Sequence, residues 1–151
     1  MIVYLGMLAS LFFMTCIAKQ LVESGAIRPC LPELIVANGY TIRMGQYLLD
    51  DAGQRLDLTH VISHVLKPGE TVIAQSIEGF VLPEAITISF ELLHNLEKKG
   101  LEHEEYKLEA RGHGEQALMV ALTNLSEESC IILDHGMKLG VLHFESALCS
   151  L

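Results

Sequence analysis

The chain has 151 residues, 50% of them hydrophobic, and a formal net charge of −9, which is one domain's worth with enough apolar material for a real core. Lys98-Lys99 is its only adjacent basic pair, and the acidic balance excludes a DNA- or RNA-binding surface, which needs clustered Lys and Arg. Cys16, Cys30, Cys130 and Cys149 share no CxxC spacing. That argues against a zinc site and fits small buried hydrophobes of a reduced compartment, with disulfide pairing left open because it depends on geometry.

Met1–Ala18 runs for eighteen residues without a charge, the lower edge of a bilayer span. No Lys or Arg precedes it, as a secretory signal requires. Its punctuation gives a second reading: Thr15 caps a helix running from Cys16 to Glu23, and Gly25 ends it. Residues 1–14 are then an apolar extension, either a packed helix or a membrane anchor, and residues 15–151 are the folded domain. The packed extension goes with a cytoplasmic protein, the anchor with one held at a membrane through residues 1–18.

Ala26-Ile27-Arg28-Pro29 is an extended exit, and Leu34-Ile35-Val36 a short apolar segment. Asn38-Gly39 is a turn pair before the strand Tyr40–Met44; Gly45 and Asp50-Asp51-Ala52-Gly53 predict further turns. Leu56–Val65 reads as strand or irregular edge. Lys67-Pro68-Gly69-Glu70 is a tight turn leading into the strand Thr71–Ile77. Gly79 allows a bulge and Pro83 stops the chain before a second strand, Ala85–Leu92, whose alternation gives one wet and one dry face. Leu93–Gly100 predicts a short helical turn closed by glycine.

Glu102–Glu115 is charged and glycine-punctuated, a loop or an exposed hairpin. Ala117–Asn124 is a nearly continuous apolar strand buried on both faces, and Cys130–Leu133 and Lys138–Phe144 complete the set. Many short strands at regular spacing predict a mainly β fold, a barrel or sandwich. The polar residues carry no strong motif of their own. The histidine pairs His60/His64 and His103/His113 are weak metal candidates, and Gly112 and Gly114 are turn formers rather than a phosphate cradle. The acidic run Glu102, Glu104, Glu105 and Glu109 is a solvated face or, with His103, a partner surface.

The order of these segments resembles the dCTP deaminase / trimeric dUTPase superfamily, the deaminase branch more closely. The motifs that carry the likeness are Glu23–Ile27, NGYTIRMG at Asn38–Gly45, LKPGETVIAQSIEGFVLP at Leu66–Pro83, ALMVALTN at Ala117–Asn124 and HGMKLG at His135–Gly140. The resemblance implies a distorted, jelly-roll-like β-barrel with a short N-terminal and a short internal helix. It also implies a homotrimer with deoxyribonucleotide sites between subunits, and dCTP deamination or dUTP hydrolysis in pyrimidine metabolism.

The family's chemistry transfers poorly. Its Arg-Ser-Ser phosphate fork falls on Leu93, His94 and Asn95; an apolar side chain replaces the guanidinium that suits triphosphate oxygens. The deaminase glutamate that acts on the attacking water falls on Ala121, which accepts no proton. The dUTPase aspartate falls near Arg111, and Thr41 stands where the first motif carries Asp. The expectation is a catalytically degenerate domain, a nucleotide-binding or regulatory module that requires no cofactor. Its nucleotide contacts would come from Arg43, His94, Asn95, Arg111 and Asn124. The alternative is a divergent active enzyme, with Mg²⁺ on the triphosphate and Glu91, Glu109 or Glu115 as replacement base.

Overall fold

The computed structural model describes residues 17–37, 39–59 and 63–146. A helix over residues 17–23, α1, closes at Gly25, whose φ of +77° is open to glycine and whose N–H bonds to the Val22 carbonyl. Among the described residues no helix is long and apolar enough to cross a membrane. The apolar run up to Cys16, the cap expected at Thr15 and the boundary expected at residue 14 lie outside the described residues, as do Asn38, His60 and Cys149. Cys30 and Cys130 are free thiols.

The rest is mainly β. The strands are β1 (Ile27–Arg28), β2 (Ile35–Val36), β3 (Gly39–Leu49), β4 (Arg55–Asp57), β5 (Ser63–Leu66), β6 (Thr71–Phe80) and β7 (Ile86–Leu92). A short helix α2 (His94–Lys98) precedes β8 (Leu101–Gly112), β9 (Glu115–Asn124), β10 (Ile131–Asp134) and β11 (Lys138–Ser146). The main sheet runs β7-β11-β3-β6-β9-β8, with β1 on β6 and β2 and β4 on β3; β10 and β5 form a separate antiparallel pair. The sheet curls into a barrel-like shell around Tyr40, Ile42, Leu48, Phe80, Leu118 and Leu142, all fully or almost fully buried. Tyr40 is tolerated there because its hydroxyl accepts the Leu31 N–H at 2.8 Å.

Two expectations need correction, and one open choice is decided. Gly45 is not a turn: β3 runs through it for eleven residues, and a Cβ there would stand 2.5 Å from the Gln75 carbonyl oxygen. Glycine is required because the backbone of β6 passes too close for a side chain. Of the two readings of Glu102–Glu115 the exposed hairpin holds: it is β8 and its tight turn into β9, with His113 at φ +56° at the tip. Leu56–Val65 is not one segment, since β4 pairs with β3 and β5 with β10. The short helix after Leu93 is present as expected, and Gly100, at φ +101°, closes it.

Candidate functional site

The positioning of the site begins with a crossing. β3 pairs with β11 through Arg43 and with β6 from Met44 onward, so one strand passes from one part of the sheet to the other. Opposite this switch the β6–β9 register shifts between Gln75 and Gly79. Such a bulge strips backbone groups of ladder partners, and buried backbone groups must find others.

Side chains supply them. Ser76 Oγ donates to the Glu78 carbonyl at 2.7 Å and accepts the Leu118 N–H at 3.0 Å. Glu78 Oε1 accepts the Arg43 N–H at 2.9 Å, with Arg43 Nε at 3.5 Å. Arg111 Nη1 donates to the carbonyls of Ser76 at 3.2 Å and Ile77 at 2.9 Å. Glu78 is wholly buried and its Oε2 has no hydrogen-bond partner among the described residues. Burial pushes its carboxyl above the ordinary carboxylate range, against the pull of the Arg43 N–H and of the Arg43 charge.

Beside the bulge lies a cavity of about 540 Å³. Gln46 and Tyr47 of β3, Arg55 of β4, Ser76 of β6, Arg111 of β8 and His135 in the turn before β11 form much of its wall. The Arg55 guanidinium lies over the Tyr47 ring, Cζ 3.4 Å from the centroid. Arg111 Nη2 stands 3.5 Å from Glu115 Oε2, behind the wall.

Of the residues selected from the sequence, Arg43, Arg111 and Glu115 gather around the β6 bulge, since Glu115 and Arg111 are the groups a Cβ on Gly79 would meet first. The others are dispersed. Glu91 of β7 pairs with His143 of β11 at 2.9 Å. His94 and Asn95 sit exposed on α2, with His94 Nδ1 4.0 Å from Glu97. Glu109 is exposed on β8. Asn124 is fully buried; its Nδ2 donates to the carbonyls of Leu66 at 3.0 Å and Ser129 at 2.8 Å, and its Oδ1 accepts the Ser126 N–H at 2.9 Å.

Sequence reasoning passed over Tyr47, Arg55, Glu78 and His135. Glu78 stood inside the quoted Leu66–Pro83 block and was recoverable from it. Tyr47 and Arg55 meet only through the β3–β4 register, in which Tyr47 faces Asp57 and Leu49 faces Arg55; nothing local announces that pairing. For metals, no group of three His, Cys, Asp or Glu side chains converges among the described residues. His64 is instead bonded to Glu70 at 2.9 Å, and His103 packs against Phe90 and Tyr106.

The sequence matches no family model and no curated protein. The fold is similar to that in the crystal structure of 2'-deoxycytidine 5'-triphosphate deaminase from Agrobacterium tumefaciens, with a TM-score of 0.69 at 12% identity. The likeness covers 89% of this chain and 47% of that one, so the chain spans about half the length of that enzyme. At this identity the likeness concerns the fold, and the mainly β barrel expected from the short strands and the order of the segments is the fold observed.

Proposed function

We propose that the chain is a homotrimeric dCTP deaminase/dUTPase-like module of the cytoplasm that binds a deoxyribonucleotide in a regulatory or interaction role and does not convert it. The observation that carries this reading is the pair of substitutions Leu93 and Ala121 on a fold similar to the deaminase's. Leu93 stands at the N-terminal edge of α2, where the resemblance calls for the phosphate-binding guanidinium, and offers no charge. Ala121 faces Ile73 across the β6–β9 ladder and lines a shallow recess with Met119 and Tyr106, where the resemblance calls for a proton acceptor.

The candidate replacement bases support the same reading. A general base needs a free lone pair within reach of its proton and protection from bulk water. Glu91 is engaged by His143 and Glu115 is held near Arg111, while Glu109 stands in solvent. Thr41, matched to the family's first-motif aspartate, is a buried hydroxyl without charge for Mg²⁺, so no step is assigned to a metal. The homotrimer rests on the resemblance, which places the nucleotide between subunits.

The test is incubation of the trimer-sized fraction from a sizing column with dCTP and with dUTP plus Mg²⁺, following ammonia and diphosphate, beside calorimetric titration with the same nucleotides. Saturable binding without release is expected. Release of ammonia or diphosphate at enzymatic speed overturns the reading, as does a monomer that binds neither nucleotide.

A further inference from the structure

We infer that the cavity beside the β6 bulge is a binding site for a phosphate-type anion, either free phosphate or the phosphate of a small monoester, contained within one subunit and independent of the nucleotide reading above. On a chain with ten Lys and Arg against nineteen Asp and Glu, the residues lining this cavity include two arginines and a histidine and no carboxylate. At physiological salt, charges beyond about 8–10 Å are largely screened, so this local balance outweighs the net charge.

Both guanidiniums are held in place before any ligand arrives. Arg111 is fixed by the carbonyls of Ser76 and Ile77, which occupy Nη1 and leave N–H groups on its other edges. Arg55 lies flat on Tyr47 and has no carboxylate partner among the described residues. A stacked guanidinium keeps all five N–H groups in the plane of its fork, which matches the oxygens of phosphate. Glu115 offsets part of the Arg111 charge, and Asp57, paired with Tyr47 and on the same face of β4 as Arg55, is held by Gln46 Nε2 at 3.2 Å. Of the two, Arg55 is the guanidinium with no direct ion pair among the described residues.

The geometry favours phosphate over carboxylate. Donors come from β4, from β8 and, through His135, from the turn before β11, so they approach from several directions. A tetrahedral anion presents acceptors in all of them, whereas a carboxylate presents two coplanar oxygens. A volume of about 540 Å³ falls in the usual range of small-molecule sites and leaves room for the remainder of a monoester.

The experiment is a calorimetric titration, at constant ionic strength, of the full chain with inorganic phosphate, a pentose 5-phosphate, the same pentose without phosphate, and acetate. The variants are Arg55→Gln, Arg55→Lys and, as a control with the same change of charge on exposed β8, Lys107→Gln. Binding of inorganic phosphate or of the pentose phosphate at millimolar concentration or below is expected, and Arg55→Gln weakens it about tenfold or more, the loss of a charge-assisted contact. Arg55→Lys, which keeps charge and loses the fork, recovers only part of that, and Lys107→Gln leaves affinity within about twofold. Pentose phosphate tighter than phosphate identifies a monoester as the source; equal affinities identify the free anion. Absence of saturable binding overturns the proposal. So does equal weakening by Arg55→Gln and Lys107→Gln, or binding of acetate or the bare pentose as tight as that of phosphate.

Discussion

Asn124 is where burial and hydrogen bonding make the sharpest demand on a single side chain. Its amide ties the end of β9 to the close of β5 through the Leu66 carbonyl and to the following loop through the Ser129 carbonyl and the Ser126 N–H. The backbone around it is joined as well, with Gly69 N–H on the Asn124 carbonyl and Asn124 N–H on the Glu70 carbonyl. Asn124→Ala removes three hydrogen bonds; the Leu66 carbonyl is left unsatisfied in the interior, while the Ser129 carbonyl and the Ser126 N–H are only partly buried. At about 1–3 kcal/mol for the one fully buried group left unsatisfied, the variant should be about 2 kcal/mol less stable.

Asn124→Asp tests the same point by polarity. It replaces the Nδ2 donor with one oxygen that faces two carbonyl oxygens, so the folded state favours the protonated acid and its folded pKa lies above the unfolded one. Stability from such a group is fully present below the unfolded value and lost as pH rises through the folded one. The variant should therefore be more stable at acid than at neutral pH, relative to the parent. Urea unfolding at fixed protein concentration, from pH 4 to 8, measures both effects. An Asn124→Ala change below about 0.5 kcal/mol, or an Asn124→Asp variant that gains stability with rising pH, would refute the reasoning.

The bulge gives three further predictions. Glu78 has its pKa raised by burial, so the parent loses stability as pH climbs from the ordinary carboxylate range through the raised value; Glu78→Gln should flatten that slope in unfolding free energy between pH 5 and 8. Ser76→Ala leaves the Leu118 N–H without its acceptor and should cost about 1–3 kcal/mol in denaturant titration, with an unchanged m-value. Gly45→Ala drives a Cβ against the Gln75 and Ser76 carbonyls and should cost about 1–3 kcal/mol, which a thermal melt detects as a loss of several degrees. A melting point within a degree of the parent's would mean that β3 and β6 separate there at little cost.

The parts of the fold that could be read from the chain were those whose cause is local. Lys67–Glu70 closes its own turn, with the Glu70 N–H on the Lys67 carbonyl, and Gly100 ends α2 in a conformation that it alone supplies. Gly45 misled because its reason lies in the carbonyl of Gln75, thirty positions on. β8 left loop and hairpin undecided for a different reason. It lies at one end of the sheet order and pairs with β9, so Glu102, Glu104, Glu105 and Lys107 are exposed along it. A charged edge strand discourages pairing with another chain, and in composition it is indistinguishable from a loop. The cavity was illegible for the same reason as Gly45: Arg55 and Tyr47 become neighbours only once β4 has paired with β3.

If the chemistry has been lost as proposed, the crossing explains which of the resembling motifs remain. Ser76 and Glu78 belong to the block that most specifically resembles the deaminases, yet every side-chain hydrogen bond described for them goes to this chain's own backbone or to Arg43. A fold that passes one strand between two pairings must satisfy the groups stripped there, whether or not a nucleotide is ever turned over. Such residues therefore report architecture. Leu93 and Ala121 are under no comparable demand, since one begins a helix without a side-chain cap and the other is a small residue on a half-exposed face. Chemistry can be lost at those positions without disturbing the sheet. The positive wall of Arg55, Arg111 and His135 is not accounted for in the same way. Arg111 serves the bulge and Arg55 rests on the Tyr47 ring; no backbone hydrogen bond in the described residues requires the Arg55 guanidinium, which leaves its N–H groups for the anion proposed above.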